Sequence, residues 1–226
     1  MTNQPRKPNG QFDFDPNAGA SDLPSLNPRK AYLSIGGNKV PCEPVGGVSL
    51  DGAAPSASPK LFFKLDATPE NAELFRDRIA ALKENNPMAS AVDVHDADDY
   101  LRDDLYLDED GRTGFAIADG DELVSVFSYK GEHGGDALVE KAVERGARRL
   151  DCYDIRGGLP SLYGRHGFRP VARVAWNDEY APDGWNYERL GRPDVVAMAV
   201  ADNAPENPPY VEYDDAVEAA RLVAED

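Results

Sequence analysis

The chain has 226 residues, 41 acidic against 24 basic side chains, a formal charge of −17 and a hydrophobic share of 41%. That length holds one ordinary domain with appendages or two small ones, and such a charge disfavours direct nucleic-acid binding, which lysine and arginine drive by displacing counterions from phosphates. No apolar run reaches the length of a membrane span, and the opening MTNQPRKPNG lacks the apolar core of a signal peptide.

Two cysteines, Cys42 and Cys152, predict a reducing, cytoplasmic setting or carriage within a particle, with a single disulfide between them left open. Residues 1–30 mix proline, asparagine, glycine and charge without periodicity and read as a disordered tail, broken only by Phe12 and Phe14. Residues 31–59 read as a small hairpin turning at Gly36, Gly37 and Asn38, followed by a linker of small residues. The main domain is expected over 60–200.

Within it, KLFFKLD is a strand. A helix follows from TPENAELFRDRIAALKENNP: Thr68 caps it, Pro69 stands in its first turn, Leu74, Ile79 and Leu82 share one stripe, and Pro87 closes it. DADDYLRDDLYLDEDG carries only a narrow apolar stripe and is expected to be a short acidic helix or loop. TGFAIADGDELVSVFSYKG predicts two strands joined at Asp119–Gly120–Asp121. GGDALVEKAVERGA predicts a helix with Leu138, Val139, Ala142 and Val143 inward and Gly146 as its stop.

RRLDCYD is a buried strand, LPSLYGRHG a short helix, and FRPVARVAWN and PDVVAMAV two final strands around an aromatic, glycine-containing loop. Residues 201–226 form an acidic tail whose end has a weak helical face. The order strand, helix, hairpin, helix, strand, helix, strand, strand predicts a mixed α/β fold with antiparallel neighbours.

The segment from about Thr113 to Val200 resembles the GNAT superfamily of N-acetyltransferases. The residues that carry the resemblance are GFAIADGDELVSVFS, ALVEKAVERGARRLDCYD and LPSLYGRHGFRPV with its LYxxxGF element. With AWNDEYAPDGWNY and GRPDVVAM added, it is similar to acetyltransferase-like domains of phage and mobile-element proteins. The resemblance implies a GNAT-like, mostly antiparallel central sheet flanked by helices. It also implies an acetyl-CoA cofactor in a cleft where two parallel strands splay apart, and an amine acceptor.

Carried over by position, Tyr163 would be the acid that protonates the departing thiolate; its alternative is packing between helix and sheet. Lys130, His133, Gly134 and Gly135 would meet the pyrophosphate at the start of the cofactor helix, where bare amides attract anions. Asp136 in the same turn reads as a helix cap, a role that competes with a phosphate.

Asp151, Asp154, Asp178 and Glu179 are candidate bases or solvated carboxylates, His166 is expected on the exposed side, and Cys152 reads as a buried structural thiol. Trp176, Tyr180, Trp185 and Tyr187 wall a pocket or cover a sheet edge. Neither calcium-loop nor zinc spacing is met. The expected functions are an acetyl-CoA-dependent N-acyltransferase of unknown acceptor, a related fold that has become a protein-interaction module, and, on charge alone, a nucleic-acid mimic.

Overall fold

Strand β1 (Ala31–Ile35) turns through Gly36 and Gly37 into β2 (Asn38–Gly47), a two-residue hairpin whose glycines sit at φ 58° and 85°. Positive φ at both central positions matches the right-handed twist of the flanking strands, and glycine takes it without strain. The computed structural model describes residues 31–48 and 50–225. The expected tail over 1–30, with Phe12 and Phe14, lies outside them.

The sheet continues without a break across Lys60. β2 pairs antiparallel with β3 (Leu61–Leu65), so the expected hairpin forms one edge of the main sheet, the linker crosses from it to β3, and Ala31–Asp226 is one compact unit. Helix α1 (Pro69–Asn85) starts where the sequence predicts: the Thr68 hydroxyl accepts from the Asn71 amide, and Phe75, Ile79 and Leu82 are buried while Leu74 is half-buried. A 3-10 turn (Pro87–Ala91) and one turn of helix, α2 (Ala97–Tyr100), lead back to the sheet.

The acidic stretch expected as helix or loop contains strand β4 (Asp104–Asp108), of which Leu105, Tyr106, Leu107 and Asp108 are buried. The buried carboxylate of Asp108 is satisfied by the Arg112 and Thr113 amides and by Lys60 at 3.0 Å. Strands β5 (Thr113–Ala118) and β6 (Glu122–Ser128) form the expected hairpin.

Helix α3 (Gly135–Glu144) buries Leu138, Val139 and Ala142, and Gly146 at φ 108° ends its run. Then come β7 (Arg149–Tyr153), α4 (Gly158–Arg165), β8 (Phe168–Val174), a 3-10 turn (Asp178–Tyr180), the short α5 (Tyr187–Leu190), β9 (Val195–Val200) and α6 (Tyr213–Glu225). The acidic tail therefore ends in a 13-residue helix.

The nine strands run β1-β2-β3-β4-β5-β6-β7-β9-β8, antiparallel throughout except for β6 and β7. This is a mixed α/β fold with a mostly antiparallel sheet flanked by helices, as the sequence predicts. One apolar cluster joins the sheet to α3 and α4 through Phe62, Phe115, Leu138, Leu150, Tyr163 and Phe168. Another joins it to α1 and α2 through Leu33, Phe75, Ile79, Tyr100 and Leu107. Among the described residues no helix is long and apolar enough to cross a membrane.

Candidate functional site

The parallel neighbours β6 and β7 share one register pair, Glu122 with Arg149, and then part, while β7 goes on pairing with β9 along its whole length. A bulge in β6 accompanies the parting. Gly114 pairs with Phe127 and Ala116 with Val124, so Ser125 and Val126 stand opposite Phe115 alone, and Ser125 takes φ 51°. A bulge bends its strand and re-aims the following residues. The Ser125 hydroxyl is held by Tyr100 at 2.8 Å.

Tyr163 projects from α4 into the core beneath β7. It is 5% exposed, stands edge-on to Phe168 at 5.9 Å, and its hydroxyl makes no hydrogen bond to another described residue. Burial pushes its phenol well above the ordinary tyrosine range, with the neighbouring Cys152 and Asp151 adding to the shift. The phenol is therefore a proton holder at neutral pH. Cys152 is a free buried thiol, raised by burial, and Cys42 is also free in the other cluster, so the two are not joined.

The start of α3 differs from what the sequence predicts. Gly134 is the residue before the helix and Gly135 its first, as expected, and a β-carbon on Gly134 would come within 3.0 Å of Thr113. Lys130 and His133 are exposed; neither side chain forms an ion pair with another described residue. His133 is held at φ 49° and its carbonyl accepts from the Ser58 amide at 3.0 Å.

Asp136 does not cap its own helix. It is 5% exposed, and its carboxylate accepts from the Ala54 amide at 3.1 Å and from Arg165 at 2.8 Å, with His166 at 3.1 Å. Burial alone would raise this carboxyl, but the Ala54 amide, Arg165 and His166 outweigh it and hold it below the usual carboxylate range. His166 is buried between Asp136 and Glu140 at 3.1 and 3.2 Å, against the expected exposed position.

A strap formed by the end of β2 and residues up to 60 crosses this helix end. The buried Lys141 ammonium donates to the carbonyls of Val45 and Gly47, both at 2.9 Å, and pairs with Glu144. Val45, Val48 and Leu50 pack on the α3 cluster. Lys60 closes the strap on Glu132 at 2.6 Å and on Asp108.

A pyrophosphate at this helix end needs open amides and neutral or positive surroundings. The residues present do not fit it: a buried carboxylate and a hydrogen-bonded strap stand there.

On the opposite face of β7, Asp151 accepts from the Tyr213 hydroxyl of α6 at 2.5 Å, and burial raises its carboxyl while that hydrogen bond lowers it. Asp154 accepts from the Gly157 amide and pairs with Arg173 at 2.9 Å; Asp178 binds Trp176 and Arg192; Glu179 is exposed. Tyr153, Trp176 and Trp185 pack together as tilted rings with centroids 4.8 to 5.9 Å apart, so two of the loop's aromatics cover the end of β7, while Tyr180 is 80% exposed.

The sequence placed Tyr163 on α4 and Gly134 and Gly135 at the start of α3, but it did not single out Arg165, Lys141 or the strap, which are signalled only by charged residues at positions that prove buried or bridging. No protein-family model matches the chain, and no curated protein matches it either.

Proposed function

We propose that this chain is a binding module on an acetyltransferase-like fold, engaging a protein partner and not acetyl-CoA. The observation that carries the reading is Asp136. Its carboxylate, buried and fixed by the Ala54 amide, Arg165 and His166, takes the place in which a pyrophosphate would need bare helix amides. Anionic cofactor and anionic side chain repel at that helix end. The charge of −17 favours a partner with a basic surface over nucleic acid, and the two free thiols support a cytoplasmic or virion-associated setting.

The test is calorimetric titration of the full chain with acetyl-CoA. The expected result is no saturable heat at millimolar cofactor, unchanged in Asp136→Ser because the strap still covers the helix end. Micromolar binding by the unaltered chain would overturn the reading.

A second reading, an acetyl-CoA-dependent N-acyltransferase of an unidentified amine, of phage or mobile-element origin by resemblance, is favoured by a different observation. β6 and β7 part beside a bulge, and a phenol that stays protonated lies under β7. It requires a cofactor path that avoids the start of α3. Acetyl transfer to a panel of amines, lost in Tyr163→Phe with folding retained, would establish it.

A further inference from the structure

We infer that α6 is a displaceable cover, a piece of the chain's own C-terminal region that closes over Asp151 beside the parting of β6 and β7 and leaves as a unit while the sheet stays folded. The inference depends on neither functional reading. The helix lies over β7, β9 and β8, and the interface is made of small side chains: Ala216 and Ala220 are its buried residues and meet Ala172 and Ala197. Leu222, its largest apolar side chain, is 51% exposed.

Among the described residues its close ion pairs are within the helix, Arg221 binding Glu218 and Glu225, while Arg149 of β7 attracts Glu218 at longer range. Among the described residues, the side-chain hydrogen bond from this helix to the sheet is Tyr213 to Asp151. The chain before the helix is fastened independently. Arg173 donates its amide to Pro209 and accepts from Val211, at 2.8 and 2.9 Å, and the Tyr210 hydroxyl donates to Asp194. That gives the helix a fixed attachment about which to open.

A small open cleft of about 10 Å³ lies between Glu122, Asp151 and Ala197 on one side and Val217 and Ala220 on the other. An interface of alanines and valines, with one side-chain hydrogen bond to the sheet among the described residues, is the composition expected of an element drawn from the low-stability end of a fold. Opening would hydrate Asp151, the carboxylate that burial now disfavours in its charged form.

The experiment is residue-resolved amide exchange and carboxyl titration by NMR on the full chain and on Tyr213→Phe. In the unaltered chain, α6 amides are expected to exchange together and at least tenfold faster than β9 amides. In Tyr213→Phe the α6 rate rises a further severalfold with β9 unchanged, while the Asp151 carboxyl, still mostly covered and now without its hydrogen bond, titrates higher.

Exchange of α6 in step with β9 would overturn the inference. Ala220→Asp provides a second reading: loss of α6 protection with β9 and α3 protected supports the cover, and global unfolding refutes it.

Discussion

Lys141 shows how one side chain can hold a segment that sequence periodicity treats as a linker. Its ammonium is buried and satisfied by two carbonyls of the strap and by Glu144. Lys141→Met would leave both carbonyls without their donor, and leaving buried polar groups unpaired costs about 1–3 kcal/mol. The expected loss in urea denaturation is of that size, with faster amide exchange over residues 45–58. Tyr163→Phe should behave differently. The hydroxyl has no described partner, so folding stability should change by less than about 0.5 kcal/mol, and any larger loss would reveal a structural bond. Tyr163 was legible from the LYxxxGF pattern because a tyrosine one turn before Gly-Phe is local information. The Asp136–Arg165 pair joins positions 29 residues apart, and no local pattern announces it.

Strand β4 shows the limit of reading elements from hydropathy. Its sequence, DLYLD, looks acidic and short, yet it is central in the sheet and buried from Leu105 to Asp108, because β3 and β5 flank it on either side. Local polarity gave way to pairing once Asp108 found its amides and Lys60. The same crowding sets a test at Gly114, where a β-carbon would stand 2.6 Å from Leu107 and 2.7 Å from the Tyr106 carbonyl. Gly114→Ala should therefore destabilise by about 1–3 kcal/mol, the usual cost of overpacking; a thermal midpoint equal to that of the unaltered chain would contradict the packing described. Helix α1 and helix α3, in contrast, were readable to the residue at their starts or stops. Thr68, Pro69 and Gly146 act through the backbone within a few positions of themselves.

Across the molecule, two groups of carboxylates respond to pH in opposite senses. Burial raises Asp151, Glu122 and Asp103, so the folded chain takes up their protons before the unfolded chain does. The stability they contribute is present at acidic pH and lost as pH rises through their elevated range. Asp136 and Glu132 are lowered, the first because the Ala54 amide, Arg165 and His166 outweigh burial, the second chiefly by Lys60 and Arg112. Their contribution is present above the ordinary carboxylate range and is lost as pH falls through their depressed values. The midpoint of urea unfolding should thus rise as pH is lowered from 8 toward the top of the ordinary carboxylate range, helped by the falling negative charge, and then drop on further acidification. Asp151→Asn should flatten the rise; a midpoint falling steadily from pH 8 would contradict this balance. Taken alone, the sequence determined the mixed α/β class, the order of the strands and longer helices from β5 to β9 and the place of Tyr163 on its helix, because periodicity, caps and turns are set by near neighbours. Tertiary structure alone decided that the strap joins the sheet to α3, that Asp136 faces Arg165 and His166 and not its own helix, and that the acidic C-terminal stretch folds over Asp151. Those outcomes depend on groups distant in sequence meeting in a low-dielectric interior, where an unpaired charge costs more than the chain can spare.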